Sequence, residues 1–282
     1  MSLFLLTAVG GTLLGCKPPV EAPAELGELT LYLFENFDGD GEDGEDALVA
    51  GSQGLVDYLE GLNMTADTPV DDRAVTLPIL PFARLGSAVA PSDADESLQV
   101  PVAVSGYVAE GMDVQVPTLL EPNQVCIASD TTVYQAQTFP NGDADAFAAR
   151  DQERLVTQHE FLIDSFAGDA WMDVERHLVW VTLEDGRELV LSKGWMEERA
   201  PAFDKDNVSW DQRFELVAWI PDAGSGSLRF YGMWSSVTGL GADLYANSVK
   251  GGLDEHYVNT STFAAGGDCN NDRDREYDRG SE

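Results

Sequence analysis

The alternation of apolar and polar positions predicts a strand at residues 28–37 (ELTLYLFENF), with Leu29, Leu31 and Leu33 on one face. An acidic loop from Asp38 to Asp46 follows. Beyond it Leu48, Leu55, Leu59 and Leu62 fall at helical spacing, and the preceding acids suit the positive end of a helix dipole. Residues 64–122 carry Pro69, Pro78, Pro81, Pro91, Pro101, Pro117 and Pro122. Proline removes a ladder donor and breaks helices, so this region predicts short strands and loops around apolar runs at 74–80 and 100–108. From residue 125 the pattern sharpens. Residues 125–139 predict a strand or two, and Asp143 caps a predicted helix through about Leu155. Two hairpins are predicted next: 177–183 turns through Asp185-Gly186 into 188–192, and 214–220 turns through 221–226 into 228–234. A last helix is predicted over about 242–258, with Tyr245, Val249, Leu253 and Tyr257 every fourth residue. Its Gly251-Gly252 pair costs ~1 kcal/mol per residue against Ala, which predicts a close neighbour there. No internal repeat is visible.

This order predicts an α+β fold in which a curved antiparallel sheet packs on a long C-terminal helix. The competing architecture is a β-sandwich with decorating helices. On its meander and the helix DLYANSVKGGLDEHYV, the segment 125–260 resembles the START/polyketide-cyclase-like helix-grip superfamily. That resemblance implies a helix gripped by the sheet, in a group that includes lipid carriers, cyclases and proteins without known activity; fold alone does not give function.

The N-terminus carries a different signal. Residues 2–14 are an uncharged, mostly apolar run, too short at ~1.5 Å per residue to cross a ~30 Å hydrocarbon core but of signal-peptide length. The run ends in Leu13-Leu14-Gly15-Cys16, which resembles the lipobox of bacterial lipoproteins, although Met1-Ser2 supplies no Lys or Arg before it. The resemblance implies removal of residues 1–15, lipidation of Cys16 and a membrane anchor, with the Pro-rich linker of residues 16–27 as a spacer. Lys17 after the cysteine, by the same resemblance, favours the outer membrane over the inner. The expected organisation is a signal peptide (1–15), a lipidated Cys and linker (16–27), one α+β domain (28–262) with its irregular region at 64–122, and an acidic polar tail (263–282). Outside the cytoplasm the remaining cysteines, Cys126 and Cys269, read as a disulfide, with two buried thiols as the alternative.

Charge changes the picture by exclusion. The 282 residues carry 50 Asp+Glu against 16 Lys+Arg, a net charge of -34. Nucleic-acid binding needs a basic face and is excluded as a function class. A polybasic hold on anionic lipid is disfavoured too. The charge speaks to solubility, as expected of a protein from a saline habitat.

Candidate chemistry is sparse. Asp38-Gly39-Asp40-Gly41-Glu42 and the segment 268–274 alternate oxygen donors, but neither meets the glycine and glutamate requirements of an EF-hand, so no metal is expected. His159-Glu160 lacks the second histidine of a zinc protease motif. No nucleophile elbow, phosphate loop or dinucleotide fingerprint is present, so no catalytic residue and no cofactor is assigned. His256, beside Asp254 and Glu255, is the one base that a cyclase-like or hydrolytic enzyme would use. All six tryptophans fall between 171 and 234, in strands apolar on both faces. Such strands need a second apolar layer or a cavity holding a ligand. Trp180, Trp195, Trp219, Trp234 and Tyr245 are the candidates for lining that cavity. Two non-catalytic readings follow: an envelope lipoprotein binding an apolar or amphipathic small molecule, or a structural lipoprotein whose aromatic core is only a core. A cavity of ~300 Å³ or more would separate them.

Overall fold

Strands apolar on both faces require cover on both, and the chain supplies it from its two ends. The computed structural model describes residues 20–129, 131–264 and 266. Cys16 and Cys269, and hence the lipidation site and the expected disulfide, lie outside the described residues, as does the acidic tail from 267 onward.

The chain opens with two helices, α1 (Leu26–Asn36) and α2 (Gly41–Gly61). The strand expected at 28–37 is therefore a helix. A short apolar run that will be buried on most sides does not reveal its period, and Leu26, Leu29, Thr30, Leu31, Leu33 and Phe34 are all buried in α1. The Glu25 carboxylate caps it, accepting from the Glu28 amide at 2.9 Å. The proline-rich region holds single 3-10 turns, β1 (Ala74–Thr76), β2 (Val100–Val108) and the short helix α3 (Met112–Leu119). Then come β3 (Thr132–Asn141) and α4 (Ala144–Ala148). Asp143 caps α4 as expected, accepting from the amides of Asp145 and Ala146. The helix stops after five residues, and 154–165, expected to begin as the end of that helix, form β4 (Arg154–Ser165). The meander continues through β5 (Gly168–Thr182), β6 (Glu188–Trp195), β7 (Ala200–Pro201), β8 (Ser209–Pro221) and β9 (Ser227–Thr238). Both expected hairpins are present; Gly186 takes the positive φ of 84° that the first turn requires. The chain then enters the long helix α5 (Ala242–Ala264).

Among the described residues the strands form one curved antiparallel sheet, in the order β1-β2-β9-β8-β6-β5-β4-β3 with β7 beside β8. The fold is α+β, and the β-sandwich alternative does not apply. One face carries Leu189, Leu191, Trp195, Phe214, Leu216, Phe230 and Trp234, packed under α1 and α2. The other carries Val104, Leu178, Val190, Val217, Trp219, Tyr231 and Met233, facing α3, α4 and α5. A glycine inside a strand sets the approach of α5 to this second face. A Cβ on Gly106 would stand 2.6 Å from the Tyr257 ring, so its absence lets α5 come down onto β2. There the Tyr257 hydroxyl donates to the Val104 carbonyl at 2.6 Å. The close neighbour expected at Gly251-Gly252 is not found: a Cβ on Gly251 meets nothing within 4 Å, and one on Gly252 meets Ser129 at an ordinary 3.6 Å.

Candidate functional site

Strand register places polar side chains in rows across the face beneath α5. Arg176 on β5, Gly194 on β6 and Glu215 on β8 stand side by side. A Cβ on Gly194 would lie 2.8 Å from a Glu215 carboxylate oxygen and 2.9 Å from Arg176 Cγ. The glycine is what allows Arg176 and Glu215 to pair across β6. Arg213 reaches the same carboxylate at 3.0 Å, and the Tyr231 hydroxyl donates to it at 2.5 Å. Glu215 is 0% exposed. Burial opposes its charge, but the Arg176 and Arg213 guanidiniums hold its carboxyl ionised, well below the usual carboxylate range.

One row further along, Trp219 of β8 pairs with Arg229 of β9, which in turn faces Gly106 of β2. Arg229 is 1% exposed. Its guanidinium lies between the Trp219 and Tyr257 rings, at 5.2 and 5.1 Å from their centroids. One Nη donates to Thr260 Oγ1 at 3.0 Å and the other to His256 Nε2 at 3.2 Å, while Nε has no hydrogen-bond partner. Unlike Arg176 and Arg213, Arg229 pairs with no carboxylate among the described residues. Burial pushes its pKa down to about 10. Burial, with the positive charge of Arg229 next, pushes His256 down to about 3, so its imidazole is neutral.

Of these groups Arg176, Arg213, Arg229, Tyr231, His256 and Thr260 line a cavity of about 160 Å³ between the sheet and α5. Its apolar wall includes Leu119, Phe161, Val217, Trp219, Met233 and Leu253. It reaches the surface near Phe166, which is 52% exposed, and Ser248 in the first half of α5. Gln115 also lines it, 1% exposed and with neither amide atom hydrogen-bonded. A buried donor without a partner carries a desolvation cost that a ligand can remove. At about 160 Å³ the cavity does not reach the ~300 Å³ set above as the mark of a ligand site, so that criterion is not met; the volume is close to the ~150 Å³ that accommodates benzene. A broader groove of about 820 Å³ runs past Tyr134, Trp171 and Phe203, with Glu160, Asp173, Glu175, Glu197 and Glu198 along it. Its charged lining is mainly acidic, with Arg199 beside the glutamates.

The structure separates the five residues expected to line a cavity. Trp219 and Tyr245 do line it. Trp195 and Trp234 lie on the opposite face, buried under α1 and α2. Trp180 shares the α5 face but is covered by α4: its indole donates to the Phe147 carbonyl at 2.9 Å, and the Arg150 guanidinium sits 4.1 Å from its ring centroid. His256 lines the cavity; Asp254 instead pairs with Arg73. Sequence reasoning passed over Arg176, Arg213, Glu215 and Arg229. The available signal was charge at inward positions of apolar strands, as in Leu228-Arg229-Phe230-Tyr231.

No protein-family model matches the chain, and no curated protein matches its sequence. Solved structures with a similar path of the chain include a STAR-related lipid transfer protein fragment from Xanthomonas axonopodis, 13% identical, covering 58% of this chain and 85% of that chain at a TM-score of 0.42. The lipid transfer and protein localization domain of human StarD13 is 13% identical, covering 58% of this chain and 76% of its own at 0.37. Zhui aromatase/cyclase from Streptomyces is 11% identical, covering 59% and 91% at 0.36. Similarity of this degree leaves the site to be read from the chain's own residues.

Proposed function

We propose that the protein binds a small amphipathic molecule in the cavity between the sheet and α5, without catalysis, and does so at the cell envelope, held to the membrane by lipid on Cys16. One observation carries the binding reading: a cavity with an apolar wall whose lining also holds buried hydrogen-bonding groups left without partners, Arg229 Nε and the Gln115 amide. A fully packed core would leave no such volume. The size restricts the ligand to roughly that of a substituted benzene or a short chain. Sterols and long acyl chains are too large.

The non-catalytic part of the reading rests on His256. Its Nε2 accepts from Arg229, and its pKa of about 3 makes it a poor general base near neutrality. The anchoring part rests on the tetrapeptide Leu13-Leu14-Gly15-Cys16.

Binding is tested by titrating the intrinsic tryptophan fluorescence with toluene, hexanol, benzyl alcohol and benzoate. At least one should give a saturable one-site change through Trp219. Gly252→Leu places a side chain at the cavity wall while raising helix propensity, so it should abolish the response without lowering thermal stability. A linear, non-saturating response to all four, unchanged in the variant, would leave a structural protein with no ligand. For the anchor, mass spectrometry of the mature protein should find diacylglyceryl on an N-terminal Cys16; an intact Met1 or an unmodified thiol refutes it.

A further inference from the structure

We infer that the cavity's ligand carries a carboxylate and that Arg229 receives it. The inference rests on the proposed binding reading and names the chemical class of the polar end. Three of the chain's 16 Lys and Arg residues line this one cavity, in a protein whose net charge is -34. A chain so short of cations has placed three of them inside. Two are accounted for by Glu215, which salt-bridges both Arg176 and Arg213.

Arg229 is not accounted for in this way. Its contacts are a hydroxyl, an imidazole nitrogen and two aromatic faces. The neutral His256 supplies no charge, and Tyr257, whose pKa burial raises further, supplies none either. A guanidinium buried to this degree without an anion is costly, because buried charges are ordinarily paired. A ligand anion would complete the site that Glu215 completes for the other two arginines.

The geometry favours a carboxylate among anions. Nε is unpartnered, and the neighbouring Nη carries two protons, only one of which goes to the 3.2 Å bond with His256. One edge of the fork is therefore available to a planar, two-oxygen acceptor. A phosphate, with three oxygens and up to two charges, would need further cations, and Arg176 and Arg213 are already engaged. The Gln115 amide, from α3, adds a neutral donor to the lining of the same cavity.

The experiment compares benzoate, benzyl alcohol and phenyl phosphate by isothermal titration at neutral pH, with wild-type protein and Arg229→Met. Benzoate should bind wild type roughly tenfold or more tightly than benzyl alcohol, as expected for hydrogen bonds to a charged group. It should also outbind phenyl phosphate. In Arg229→Met the benzoate-to-alcohol ratio should fall to near unity. Equal affinity for benzoate and the alcohol in wild type, or a preference for phenyl phosphate, overturns the carboxylate and leaves the binding reading intact. A benzoate preference that survives in Arg229→Met overturns the role of Arg229. Failure of all three compounds to bind while toluene or hexanol still titrates overturns the carboxylate alone, and failure of toluene and hexanol as well overturns the binding reading. Should the variant not fold, the wild-type ratio still decides the ligand class.

Discussion

Replacing Glu215 by Gln removes one charge from the centre of the site and leaves its shape. In the wild type this carboxylate, 0% exposed, salt-bridges Arg176 and, at 3.0 Å, Arg213, and accepts from the Tyr231 hydroxyl. An amide of the same size keeps one acceptor oxygen but leaves both guanidiniums as uncompensated buried charges. Removing one partner of a buried ion pair costs about 3–5 kcal/mol. That is a large part of a total stability that runs to ~5–15 kcal/mol. With a urea m-value of ~3 kcal/mol/M, the unfolding midpoint should fall by roughly 1–1.7 M. Equilibrium urea unfolding followed by tryptophan fluorescence and circular dichroism reads this directly. Gly194→Ala offers an independent route to the same damage, because its Cβ would stand 2.8 Å from the Glu215 carboxylate oxygen. The two changes should be non-additive, with Gly194→Ala costing less once the carboxylate is gone. A midpoint shift below ~0.3 M for Glu215→Gln would refute the reasoning, since the two arginines would then not depend on this carboxylate.

Three further outcomes follow from the same structure. Gly106→Val should lift α5, because even a Cβ meets the Tyr257 ring at 2.6 Å; a loss of ~1–3 kcal/mol in urea unfolding is expected, and no loss would mean that Tyr257 does not pack on β2 as described. His256, facing Arg229, Arg176, Glu215 and the Ile127 backbone, has a folded pKa depressed to about 3 from 6.5, so below pH 6.5 the unfolded chain binds a proton that the folded protein refuses. Its contribution is whole above pH 6.5 and is lost at ~1.4 kcal/mol per pH unit as pH falls toward 3; the slope of stability between pH 4 and 6 should be one proton shallower in His256→Gln, and equal slopes would contradict this. Thiol titration of denatured, unreduced protein should find no free thiol at Cys126 or Cys269, and two titratable thiols would rule out their pairing.

The meander and the final helix were legible in the sequence because their signals are local. Asp185-Gly186 marks a turn, alternation marks the strands around it, and the four-residue spacing of Tyr245, Val249, Leu253 and Tyr257 marks α5. The opening helix was not legible. Leu29, Leu31 and Leu33 are buried together because α2 and the sheet enclose α1 on several sides, and enclosure erases the amphipathic stripe. The site was half legible. Two-sided apolar strands pointed to a cavity or a second layer, and the protein has both, one on each face of the sheet. Which tryptophan faces which layer depends on strand parity and on what covers each row. This is why Trp219 lines the cavity while Trp195 and Trp234 lie under α1 and α2. Arg176 and Arg229 were hidden because their partners arrive from distant segments, Glu215 being 39 residues from Arg176 and Thr260 31 from Arg229, whereas Arg213 and Glu215 are two residues apart on one strand and were legible as a same-face pair.

The most direct test of the account is a crystal structure of the protein grown with saturating benzoate. The ring is predicted to lie between Trp219 and Leu253 beneath α5, with its carboxylate within hydrogen-bond distance of Arg229. Benzoate found only on the outer surface, with the space between sheet and helix filled by water or by protein side chains, would contradict it.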